Sequence, residues 1–128
     1  MAEKTILIVD DDELTLMLTE KILSAQYNTL RAASGPEAIE LYGENHPDMV
    51  LADYMMPDMD GFQMLEKLHE IHGNRIPVIF MTSSEDEETQ FQSLNHGAVD
   101  FIRKPLKADV LLKSVNTIMD RLSGKEDF

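Results

Sequence analysis

Apolar residues along the chain gather into five short runs, at 6–9, 29–33, 49–52, 78–81 and 99–102, with segments of helical periodicity between them. The runs lack clean polar/apolar alternation, the pattern of parallel strands covered on both faces. After the first run, Leu14, Met17, Leu18, Ile22 and Ala25 predict one stripe of an amphipathic helix. Phe62, Leu65 and Leu68 make a shorter stripe mid-chain, and Leu111, Val115, Ile118 and Leu122 another near the end.

Punctuation falls between these segments. Ser34-Gly-Pro-Glu37 reads as a capping box with proline where no amide donor is needed. Asn45-His-Pro47 stops that helix. Gly73 and Gly97 follow helical stretches as C-terminal caps, and Asp60-Gly61 is a turn signal. Ser84, followed by four acidic residues, reads as a helix start with carboxylates at the positive end of the dipole. Strand and helix thus alternate five times, without internal repeat or low-complexity segment. Such alternation argues for a parallel sheet with helices on both faces. Five units are too few for a closed eight-stranded barrel, which leaves an open, doubly wound α/β sheet. A ligand site in that architecture lies outside the carboxyl ends of the strands, near the switch in strand order.

At 128 residues the chain is the size of one domain and can bury a proper core. It holds no cysteine, which removes disulfides, thiolate catalysis and cysteine metal sites. The first apolar run is too short for a signal-peptide core or a membrane span, and the chain is read as cytoplasmic. A net charge of −13 makes nucleic acid and anionic lipid poor partners, and suits cations and basic protein surfaces. The nine methionines read as fillers of core gaps, apart from Met55 and Met56. His69 and His72 share a helical face but lack supporting acids for a metal, and His46 and His96 fall at helix ends.

The polar residues at the strand ends carry the chemistry. Asp10, Asp11, Asp12 and Glu13 follow the first run, Asp53 the third, Thr82 and Ser83 the fourth, and Arg103, Lys104 and Pro105 the fifth. In a doubly wound sheet these ends share one rim. Two carboxylates about 4 Å apart repel by roughly 4 kcal/mol at an effective dielectric near 20. A hard divalent cation relieves this, and oxygen-only ligands suggest Mg²⁺. A carboxylate can itself accept a phosphoryl group, with the metal spreading the developing charge. Thr82 offers a hydroxyl donor and Lys104 a point charge for phosphoryl oxygens. Taken singly, each of these residues has a bland reading, and Asp12 reads as a helix cap. Their joint placement at successive strand ends is the specific signal.

Four stretches, Ile6-Leu-Ile-Val-Asp-Asp-Asp12, Leu51-Ala-Asp-Tyr-Met-Met-Pro-Asp-Met-Asp-Gly61, Phe80-Met-Thr-Ser83 and Asp100-Phe-Ile-Arg-Lys-Pro105, resemble the receiver domain of two-component response regulators in order and spacing. The resemblance covers nearly the whole chain. It implies a single doubly wound (βα)5 flavodoxin-like domain over residues 1–122, with a parallel five-stranded sheet of order 2-1-3-4-5 and a tail or linker start at 123–128. It implies that Asp53 is phosphorylated, that Asp11 ligates Mg²⁺ directly with Asp10 assisting through water, and that Met55 gives its backbone carbonyl. Thr82 and Lys104 would hold the phosphoryl group with the Ser83 amide, and Lys104-Pro105 would be cis. The implied switch draws Thr82 inward while Phe101 fills the space behind it, altering an output face built from a helix at 85–95, the fifth strand and the last helix. The implied donor is a sensor histidine kinase or phosphotransfer protein, and the implied target is an output domain or partner protein. The domain would catalyse only its own phosphorylation and dephosphorylation.

Three rivals fit less well. A haloacid-type phosphatase wants a second aspartate where Met55 stands. A flavodoxin-like electron carrier wants a hydroxyl- and glycine-rich phosphate loop where Asp10 to Glu13 stand. A degenerate receiver acting only as a binding module would not retain all five site residues. The last helix also lacks the dense arginines with which many transcription-factor receivers pair; only Lys107, Lys113 and Arg121 are found there.

Overall fold

A computed structural model describes residues 4–73, 76–83 and 97–122. In chain order these form β1 (Thr5–Val9), α1 (Glu13–Leu23), β2 (Asn28–Ala32), α2 (Gly35–Asn45), β3 (Met49–Asp53), α3 (Gly61–His72), β4 (Val78–Thr82), β5 (Asp100–Arg103) and α4 (Ala108–Leu122). The strands make one parallel sheet in the order β2-β1-β3-β4-β5. The helix expected at 85–95, its Ser84 start and the tail at 123–128 lie outside the described residues.

Parallel strands covered on both faces feed two cores alternately. Leu7, Val9, Val50, Ala52 and Phe80 face one layer with Met64, Leu65 and Leu68 of α3. Ile6, Ile8, Leu51, Ile79 and Met81 face the other, with Leu16 and Leu23 of α1 and Leu111, Val115 and Ile118 of α4. Every residue of β3 and β4 is buried, which is why these runs showed no alternation.

The strand bounds shift slightly. Asp53 and Thr82 are the last residues of β3 and β4, opposite Met81 and Arg103 in the ladder, rather than the first residues beyond. Val99 lies before β5 and is exposed. The α1 stripe is corrected more substantially. Leu14, Met17 and Leu18 are each about half exposed, Ala25 lies past the helix, and the buried face is Leu16, Thr19 and Leu23. Apolar residues nearly surround α1, so periodicity alone does not choose its inward side. Packing of Leu16 and Leu23 against β1 and α4 selects that side.

The caps follow the sequence signals with two differences. Ser34 accepts from the Glu37 amide, but the Glu37 side chain reaches the Ala33 amide instead of the cap's own. Asp60 is an N-cap more than a free turn: it and Gln63 bond reciprocally to each other's amides and open α3. His46 closes α2 in the left-handed region and Gly73 closes α3 at φ 92°.

Candidate phosphoryl-acceptor and metal site

The chain runs outward from β1 to β2 and then crosses to β3 on the other side of β1. The strand order therefore reverses between β1 and β3, and a crevice opens at their carboxyl ends. Asp10 leaves the end of β1 held by its amide to the Ala32 carbonyl at 3.1 Å, and its side chain is fully buried. Asp53 ends β3, 7% exposed. Asp11 stands exposed beside them. One carboxylate oxygen from each of Asp10, Asp11 and Asp53 lies within 4.8 Å of the other two. Among the described residues these three are the grouping that could hold a metal ion.

The third consecutive aspartate does a different job. Asp12 accepts from the amide and, at 2.6 Å, the hydroxyl of Thr15, capping α1. The Thr15 hydroxyl, with neighbouring amides, holds the Asp12 carboxyl below the usual carboxylate range.

Lys104 arrives from β5. Its amide donates to the Thr82 carbonyl at 2.8 Å and the Lys104–Pro105 bond is cis. Its ammonium lies 2.7 Å from Asp10 Oδ2 and 3.3 Å from Asp53 Oδ2. Burial alone would lower its pKa, but the Asp10 hydrogen bond and the charges of Asp53 and Asp10 outweigh this and raise it. Asp53 is raised above the usual carboxylate value, chiefly by burial and further by the Asp10 charge, against the opposing pull of Lys104 and the Met55 amide. That amide donates to Asp53 Oδ1 at 3.2 Å, while Met55 as a residue is 62% exposed.

Thr82 is buried at the end of β4 and Ser83 is exposed just beyond. Phe101 lies on β5 opposite Phe80 and packs, half-buried, against the core shared with α3. The sequence-predicted residues Asp10, Asp11, Asp53 and Lys104 are thus in one cluster, with Thr82 and Ser83 at the same rim. His72 belongs elsewhere: it packs against Tyr42 and His46, at ring distances of 4.9 and 5.9 Å.

Two features were not anticipated. Lys104 contacts Asp10 more closely than Asp53, which no spacing rule could reveal. A groove of about 660 Å³ runs beside the site, lined by Leu18 and Ile22 of α1 with Ser83, Lys104, Pro105 and Leu106. Its sequence trace was the outward apolar residues of α1, assigned there to the core.

Three carboxylates against one ammonium leave an excess of two negative charges in a largely buried, oxygen-only set. That fits a hard divalent cation, and Mg²⁺ in particular, which is bound by few carboxylates and keeps room for other oxygens.

The family model for the response regulator receiver domain matches residues 6–116. The chain belongs to that family. Receiver domains are the phosphorylation switches of two-component systems, with Mg²⁺ and an aspartyl phosphate as standard features. The chain is 37% identical to Regulatory protein AtoC of Escherichia coli over 95% of its own length and 26% of that protein's. It is 33% identical to Protein PilH of Pseudomonas aeruginosa, covering 89% of this chain and 96% of that one. A crystal structure of a CheY-like response regulator receiver domain protein from Methanospirillum hungatei superposes with a TM-score of 0.88 at 32% identity, covering 97% and 99% of the two chains. The chain spans between 25% and 29% of the length of the first curated relatives it matches. Among the described residues no helix is long and apolar enough to cross a membrane.

Proposed function

We propose that this receiver accepts a phosphoryl group from a phosphohistidine donor onto Asp53, with Mg²⁺ held by Asp10, Asp11, Asp53 and the Met55 carbonyl. The observation that carries this reading is a buried Asp53 carboxylate grouped with two further carboxylates and sharing one ammonium with Asp10. An Asp53 oxygen attacks phosphorus, the new P–O bond forms as the P–N bond to imidazole breaks, and the histidine departs with the electron pair. Lys104 and the Thr82 hydroxyl face the phosphoryl oxygens, joined by the Ser83 amide, and phosphoryl transfer needs mainly this positioning and charge. Mg²⁺ held there would supply charge neutralisation at the phosphoryl oxygens. Lys104 then exchanges its Asp10 contact for the transferred group.

The donor is a sensor histidine kinase or phosphotransfer protein, which must bring its histidine over this rim. The groove between α1 and Pro105-Leu106, lined in part by half-exposed Leu18, is the apolar surface such a donor covers. The domain acts on no separate substrate, does not itself bind nucleic acid, and works in the cytoplasm. Output runs through Thr82 and Phe101 to β5 and α4, where an output domain or partner protein reads it.

Intact mass after incubation with Mg²⁺ and acetyl phosphate tests the reading. The expected result is a gain of one phosphoryl group in wild type, lost with chelator and in Asp53→Asn. No adduct in wild type, together with no response to beryllofluoride, would sink it. Chemical shifts along 85–115 that stay unmoved on beryllofluoride binding would remove the output assignment alone.

A further inference from the structure

The connection from β3 to α3, residues 54–60, carries Met55 and follows directly on Asp53. It is pinned from several sides. The Tyr54 amide donates to the Met81 carbonyl at 2.9 Å, the Met55 amide to Asp53, and the Gly61 amide back to the Tyr54 carbonyl at 2.8 Å. Gly61 makes that last closure feasible: a Cβ there would stand 2.6 Å from Phe80 Cε1, 3.0 Å from Tyr54 Cα and 3.1 Å from the Asp53 carbonyl oxygen. Within the connection, the Met59 amide donates to the Pro57 carbonyl at 2.7 Å around Asp58, whose φ is +68°. A non-glycine residue there is strained, and such turns persist only where their surroundings over-determine them.

Part of those surroundings is a side chain seated in a notch. Met59 lies along Gly35, the first residue of α2, so closely that a Cβ at Gly35 would stand 2.6 Å from its Sδ, 2.9 Å from its Cγ and 3.1 Å from its Cβ. The contact runs the length of the side chain. Moving the tip aside does not relieve it, because the Met59 Cβ, and with it the backbone, must also shift.

We propose that Met59, seated in the Gly35 notch, is a positioning residue for the metal: it braces the strained turn at Asp58 and so fixes the 54–56 backbone against the Asp10, Asp11 and Asp53 cluster. This rests on the reading of that cluster as the Mg²⁺ site. The brace acts on ligand orientation, not on charge, since neither Met59 nor Gly35 is ionisable.

The test is Mg²⁺ affinity by calorimetry, with no phosphodonor, for wild type, Gly35→Ala, Met59→Ala, Met59→Leu and the Gly35→Ala/Met59→Ala double variant. Amide exchange of Met59 and Gly61 in the metal-free proteins is the second readout. Loss of an outer-shell partner costs metal affinity on the order of tenfold. Each alanine variant is expected to lose about that, with faster exchange at both amides. Met59→Leu keeps the bulk and stays near wild type. The double variant falls no further than the weaker single, because one change fills the notch and the other empties it, and both remove the same contact. Wild-type affinity in Met59→Ala, or losses that multiply in the double variant, would overturn the proposal while leaving the Mg²⁺ site intact. If Gly35→Ala does not fold, Met59→Ala decides, since truncation there intrudes on nothing. Failure of the wild type to bind Mg²⁺ would overturn this proposal together with the reading it rests on.

Discussion

Asp53 is held in a form that its own burial opposes. Desolvation raises its pKa above the ordinary 3.8, the Asp10 charge adds to this, and Lys104 only partly offsets them. In the unfolded chain Asp53 titrates near the ordinary value, so between that value and the raised one the folded state binds the extra proton. Stability then falls as pH rises through this window, and at neutral pH the ionised carboxylate weighs against the fold. Asp53→Asn is therefore expected to melt above wild type at pH 7 in chelator. The gap should narrow as pH falls toward 3.8, where wild type takes up its proton. Melting curves across that range check it, and a gap that is absent at pH 7 or widens in acid contradicts the burial argument. Lys104 runs the other way. Its raised pKa makes its ion pairs favourable up to its ordinary 10.5, with the contribution lost as pH climbs through the folded value.

At the scale of elements, α1 separates what a sequence can show from what it cannot. The fully buried runs of β1, β3 and β4 were legible because nothing in them needed to choose a side. Asp12 was legible as a cap because aspartate followed by a helical stripe has one economical use. The inward face of α1 was not legible, since Leu14, Leu16, Met17, Leu18, Ile22 and Leu23 ring the helix and only packing selects among them. The two assignments differ measurably. Leu16 is 2% exposed in the α1–α4 core and Leu14 is 56% exposed. Leu16→Ala is expected to cost about 2–5 kcal/mol, and Leu14→Ala to stay within roughly 0.5 kcal/mol of wild type. Urea midpoints decide between them, and equal costs would restore the face read from periodicity. The same packing logic hid the Met59–Gly35 contact and the Lys104–Asp10 pair. Each joins residues far apart in sequence, and neither has a local signature. The site's outline, by contrast, was legible because doubly wound topology sends every strand's carboxyl end to one rim, so Asp10, Asp53, Thr82 and Lys104 could be grouped before any distance was known.

At the scale of the whole molecule, two electrostatic effects of Mg²⁺ must be told apart. A chain of net charge −13 repels itself, and any added cation relieves that by screening, with a Debye length near 10 Å at about 0.1 M salt. A cation seated among Asp10, Asp11 and Asp53 does something else: it binds the folded state alone and stabilises it by mass action. At a hundredfold excess over Kd this amounts to about 2.7 kcal/mol, a rise in Tm on the order of 10 °C for a domain of this size. Screening follows the total charge and tolerates the loss of any one carboxylate in thirteen net charges. Site binding does not, because each aspartate of the trio contributes one of three clustered oxygens. We therefore expect MgCl₂ to raise Tm well beyond NaCl of matched ionic strength in wild type. In Asp11→Asn and Asp53→Asn the two salts should converge, while a neutralised carboxylate away from the rim, such as Glu66→Gln, should keep the full difference. A rise that survives in Asp11→Asn and Asp53→Asn would mean that Mg²⁺ acts on the overall field of the molecule, and the crevice between β1 and β3 would lose its claim to the ion.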